Sequence, residues 1–121
     1  MAKSLLKFRS EAFRRQAGRC YYCGVLMWAK EGDAFARSHG VSLSAVRLLK
    51  CTAEHLQARQ DGGKDSPQNI VAACLRCNRL RHQGWKKAPA PETYLQHVRR
   101  LLSRKVWHRA PVFERGLIGG G

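Results

Sequence analysis

Acidic residues are scarce in this chain: 8 Asp and Glu stand against 23 Lys and Arg over 121 residues, a formal charge of +15. A domain with so little internal compensation repels itself unless an anion meets it, and nucleic acid is the leading partner because its phosphates do so. Long apolar runs are lacking too. None approaches the ~20 residues that cross a bilayer, and the opening MAKSLLKFRSEAF breaks into charge too early for a secretory leader. The expectation is a cytoplasmic protein with no membrane partner. No segment repeats, which removes a solenoid.

What remains is 44% apolar, enough for a modest core and too much for a disordered tail. The length suits one domain, expected over residues 1–115, with the glycine-rich end at 116–121 frayed. Leu5, Leu6, Phe8, Ala12 and Phe13 lie among basic residues and predict a short amphipathic helix that Gly18 stops. Residues 33–49 read as helix broken at Gly40, with Ser42 or Ser44 free to cap the second part. Lys50 to Leu56 and Ile70 to Ala73 suit strands, separated by a turn cluster at Asp61 to Pro67. Leu75 to His82 suits a helix. A stiff Ala88-Pro89-Ala90-Pro91 break precedes a basic helix from Glu92 to Trp107.

Four of the five cysteines fall into two Cys-x-x-Cys pairs, Cys20 with Cys23 and Cys74 with Cys77. Each spacing lets a tight turn aim two sulfurs at one ion, and together they supply the tetrahedral thiolate set of structural zinc. A redox role for them is the weaker reading, because one dithiol pair would suffice. About fifty residues separate the pairs, longer than a zinc ribbon needs, so a functional segment is expected between them. Cys51 is read as a small core residue.

That segment carries Glu54-His55, then Asn69 before Ile70, then Asn78 directly after Cys77. Hydrolysis of a phosphodiester needs a base for water, a cation on the phosphate and stabilisation of the departing oxygen, and a neutral histidine can serve as the base. An acid and a histidine that are neighbours on one strand face opposite ways, so a bend or bulge is expected between them. The stretch CTAEHLQARQDGGKDSPQNIVAACLRCNRLRH, preceded by the CYYC turn, resembles the HNH endonucleases over roughly Arg19 to His82. The resemblance implies an α+β fold: a small ββα-metal core over about residues 19–82, stapled by the four-cysteine zinc site and flanked by N- and C-terminal helices. It implies His55 as the general base, Glu54 as a metal-binding acid, and Asn69 as the residue that orients the base and steadies its loop. Asn78 becomes the second metal ligand. Two positions depart from the common pattern: Glu54 stands where many members have Asp, and Asn78 where a second histidine is frequent. His82, one helical turn after Asn78, is a candidate third ligand or phosphate contact. Asp61 and Asp65 belong to the turn cluster, and a two-metal site wants several converging acids, so one magnesium or manganese ion is expected.

Arg76, Arg79 and Arg81 crowd the motif helix, and Arg99, Arg100 and Arg104 line the last one; all six are candidate nucleic-acid contacts. His39, His97 and His108 have no supporting neighbours in sequence and are read as surface residues. The substrate is expected to be DNA foremost, with RNA as the other candidate, cut by a monomer or a homodimer. The rival reading is a non-catalytic, zinc-stapled binding module. It would be of helix-turn-helix type, on the strength of FARSHGVSLSAVRLL, or of zinc-ribbon type.

Overall fold

Leu5 and Ala12 fall two turns apart, so a helix through them buries one stripe and leaves its arginines outside. In the computed structural model, which describes residues 2–118, that helix is α1 (Lys3–Arg15). It ends where Ala17 takes a φ of 54° and Gly18 one of 74°, and the Gly18 N–H turns back to the Phe13 carbonyl. The first Cys-x-x-Cys turn follows, closed by a bridge between Arg19 and Leu26. Next come α2 (Gly32–His39) and α3 (Leu43–Arg47). The expected break falls at Gly40, and the expected cap is Ser42, whose hydroxyl accepts from the Ala45 N–H.

β1 (Cys51–His55) pairs antiparallel with β2 (Ile70–Cys74), Cys51 opposite Cys74 and His55 opposite Ile70. β2 is buried along its length between α1 and α4 (Leu75–Gln83). Its outer edge would leave backbone groups unpaired, and the Gln16 side chain stands in for a third strand there. The Gln16 amide donates to the Ala72 carbonyl and accepts from the Ala72 N–H. α4 leaves β2 with no linker, since Cys74 is both the last strand residue and the helix cap.

α5 (Pro91–Ser103) starts at the proline break and stops short of Trp107. Lys105 and Trp107 hold φ of 56° and 94°, which no helix tolerates. A five-residue helix, α6 (Ala110–Glu114), follows and is too short to announce itself by periodicity. Leu117 is buried in the same core as Ala12, Tyr94 and Val98. Its carbonyl accepts from the Leu26 N–H, and Ile118 bridges Val25. The expected fraying from Gly116 therefore fails as far as Ile118; residues 119–121 lie outside the described residues.

Candidate active site and metal centre

Two turns of chain that are distant in sequence meet at the four cysteines. Cys20 and Cys23 face Cys74 and Cys77; all are buried, and their sulfurs lie within 4.8 Å of one another. None is in a disulfide. The Cys23 and Cys74 sulfurs stand 3.8 Å apart. Thiolates about 2.3 Å from one tetrahedral ion would be spaced about 3.8 Å from each other, so donor chemistry and spacing both fit a zinc-type ion. Burial pushes the Cys74 and Cys77 thiols up, so a cation must displace protons to bind.

The C-terminal segment closes over this cluster. Trp107 donates its Nε1–H to Cys77 Sγ at 3.3 Å, and His108 Nε2 lies 3.3 Å from Cys23 Sγ. Burial lowers His108 to about 4, leaving the ring neutral. The surface position expected for His108 is therefore wrong: it is buried against the cluster. His97 is half-buried against the Trp85 and Trp107 rings, and His39 packs on Phe35. Cys51 is buried outside the cluster, as expected, and burial pushes its thiol up to about 11.

A second constellation forms where β1 ends. Glu54 and His55 continue the ladder opposite Val71 and Ile70 in unbroken register, so the expected bend or bulge is absent. The two side chains leave opposite faces of the sheet. Both nevertheless line one open cleft of about 390 Å³ with Asn78, His82 and Arg59. The cleft lies across the end of the strand, where both faces are within reach.

Glu54 is almost fully buried. Its Oε2 accepts from the Tyr22 hydroxyl at 2.8 Å and from Arg81 at 2.9 Å, while Oε1 lies 2.8 Å from His82 Nε2. Burial, with the nearby Glu54 charge, pushes the Tyr22 phenol far up, so it keeps the proton it donates. Asn78 gives its amide hydrogens to Thr52 Oγ1 and the Ala53 carbonyl, which fixes the side chain at the cleft wall. Asn69 bonds the Gln57 N–H through Oδ1 and the Gln57 and Lys64 carbonyls through Nδ2. These bonds tie Asn69 to the backbone on both sides of the loop, and its side chain makes no direct bond to His55.

The partner of His55 is Asp65, which the sequence left in a turn. His55 Nε2 is 2.7 Å from Asp65 Oδ1, and Arg59 grips both Asp65 oxygens at 3.1 and 2.9 Å. Arg59 Nε also approaches His55 Nε2 at 3.2 Å. One ring nitrogen cannot both donate to Asp65 and accept from Arg59. The shorter, charge-assisted contact to Asp65 favours a hydrogen on Nε2 over acceptance from Arg59. Hydrogen bonds from His55 and Arg59 hold the Asp65 carboxyl below its usual range, so it stays ionised. No spacing rule picks this acid out, because a loop delivers it.

Arg81 is the clearest miss. Expected on the nucleic-acid face, it is 2% exposed. Besides Glu54, its fork donates to the His55, Leu56 and Pro89 carbonyls. Removing one partner of a buried ion pair leaves the other uncompensated, at about 3–5 kcal/mol. Arg81→Ala should lose about that much in urea denaturation, whereas exposed Arg79→Ala should stay within about 0.5 kcal/mol. Equal small losses would contradict the buried pair. Arg99, Arg100 and Arg104 are exposed. Arg99 lines a groove with Tyr21 and Gly24, and Arg76 lines another with Arg109; Lys105 borders both.

Residues 42–84, from the α3 cap to the end of α4, match the family model described as HNH endonuclease. That span holds Glu54, His55, Asn69, Asn78, His82 and the second cysteine pair, and it leaves the first pair outside. The match therefore covers about a third of the chain, where the motifs alone suggested half. No curated protein and no solved structure matches the chain. Among the described residues, no helix is long and apolar enough to cross a membrane.

Proposed function

We propose that this chain, whose residues 42–84 match the HNH endonuclease model, hydrolyses phosphodiester bonds in DNA with His55 as general base and one divalent cation. One observation carries the reading: His55, with Nε2 committed to Asp65, shares the cleft of Glu54, Asn78 and His82. A water held between Nδ1 and an incoming phosphate gives its proton to the ring as it attacks. Asp65 offsets the positive charge that the ring gains and holds its orientation. Asn69 keeps the loop carrying Arg59 and Asp65 closed over the histidine, so it acts through them. Four thiolates around a structural zinc would hold the first turn against the β2–α4 junction.

Glu54, His82 and Asn78 are the residues that would hold the catalytic ion. Glu54 Oε1 and His82 Nε2 lie 2.8 Å apart, so the carboxylate and the imidazole could both turn to one hard divalent ion at the cleft. A divalent ion held by these residues would supply positive charge against the phosphate and the departing oxygen. Arg81 already matches the Glu54 charge, and an imidazole ligand suits manganese better than magnesium. Nicking of a supercoiled plasmid should therefore require an added divalent ion and run faster with manganese, and His82→Ala should narrow the difference. Cleavage that persists with no added divalent ion would overturn the assignment. Arg79, Arg99, Arg100 and Arg104, all exposed, are the proposed phosphate contacts.

The helix-turn-helix alternative rests on α3, which has five residues and is short for a recognition helix. Salt-dependent DNA binding without nicking under any divalent ion would restore the binding-module reading.

A further inference from the structure

A cavity of about 560 Å³ adjoins the His55 cleft across α4. Leu75 and Arg79 face the cavity, while Asn78 and His82 face the cleft, so neighbouring stripes of one helix serve the two spaces. Thr52 lines the cavity and Asn78 the cleft, so the wall between the two spaces includes both. It contains the hydrogen bond from Asn78 Nδ2 to Thr52 Oγ1, 3.0 Å long.

The apolar part of the lining is Trp28, Leu43, Val46 and Leu75. Trp28 is fixed at its edge, where Nε1 donates to the Val46 carbonyl at 2.7 Å. The ring also leans on Gly32, where an added Cβ would come within 2.7 Å of it, so glycine leaves the ring the room it occupies. Leu43 stands at the mouth, 62% exposed. Arg9, Arg47, Lys50 and Arg79 also line the cavity, with Asp33 as the one acid among the lining residues. Among the described residues, none of these four cations is in an ion pair. The Lys50 ammonium lies 5.9 Å from the Trp28 ring centroid, on a stem free to swing toward a phosphate.

These two properties constrain the occupant together. A free phosphate has no use for apolar walls, and an apolar peptide leaves four cations unmatched. A nucleotide satisfies both, with its base against the walls and its phosphates on the rim. A base inside a duplex keeps its faces stacked and cannot present them. We propose that this cavity binds one unpaired nucleotide of the substrate strand, the base against Trp28, Leu43 and Val46 and the flanking phosphates on Arg47, Lys50 and Arg79. The bond to be cut then lies beside it in the His55 cleft. This names the substrate class of the nuclease reading and rests on it.

The test uses the full chain as His55→Ala, so that substrate survives, with fluorescein-labelled oligonucleotides read by anisotropy. One is a fully paired hairpin, and the other is the same hairpin with a single unpaired nucleotide. The unpaired form should bind on the order of tenfold tighter. Adding Leu43→Glu should erase that preference and leave the paired hairpin within about twofold. The exposed first position of α3 accepts an acid without cost to the helix. Arg47→Ala should also reduce the preference. Equal affinity for both hairpins overturns the proposal. So does a preference that survives both substitutions, or a Leu43→Glu effect that weakens both hairpins alike. A parent that nicks plasmid but shows no preference keeps the nuclease reading and loses this subsite; the preference without nicking does the reverse.

Discussion

Stripping the metal from the four-cysteine cluster should unfold the chain. Binding to such thiolate sets is worth about 10–16 kcal/mol near neutral pH, and that free energy is largely folding free energy. A domain of this size has about 5–15 kcal/mol in total. The cluster also sits where the parts of the fold converge: the first turn, the last residue of β2, the first turn of α4 and the Trp107–His108 segment all bond to its sulfurs. Chelation should therefore collapse the helical circular dichroism and shift the tryptophan fluorescence, with about one equivalent of zinc released. Cys77→Ser should reproduce the loss. Cys51→Ser should leave the metal content unchanged, because Cys51 lies outside the cluster. A chelated protein with its dichroism intact would show that the apolar core is sufficient alone.

The parts of this architecture that could be read in sequence are those governed by local chemistry. Cys-x-x-Cys spacing, the Ser42 cap, the Gly40 break and the start of α5 at Pro91 depend on neighbours along the chain. So do the two strands, which are bounded by turn residues. Arg81 was misplaced because a guanidinium four residues from Cys77 looks the same whether it meets a phosphate or a buried glutamate. Glu54 decides that, 27 residues away in sequence. His108 was misplaced for a similar reason: its burial depends on a cysteine 85 residues earlier. Asp65 reached His55 through a loop whose path is set by Asn69, and no periodicity encodes a loop path. The bulge between Glu54 and His55 was inferred from strand geometry alone. It proved unnecessary because the cleft crosses the end of β1, a fact that belongs to the packing of α4.

The loss of His55 should be the largest effect on chemistry. His55→Ala removes the proton acceptor and touches neither a cysteine of the cluster nor any of the proposed phosphate contacts Arg79, Arg99, Arg100 and Arg104. Dichroism, zinc content and DNA affinity should stay as in the parent. Cleavage should fall by roughly 10²–10⁴, the usual worth of a positioned general base. Asp65→Asn should also lower cleavage, because an amide there can donate to Nε2 and leave the ring in the tautomer that has no lone pair for the water. The deciding measurement is the rate of plasmid nicking by parent and His55→Ala side by side, at saturating DNA with manganese. The account predicts a nicking parent and a variant slower by at least two orders of magnitude with unchanged binding. A variant that nicks as fast as the parent would contradict it.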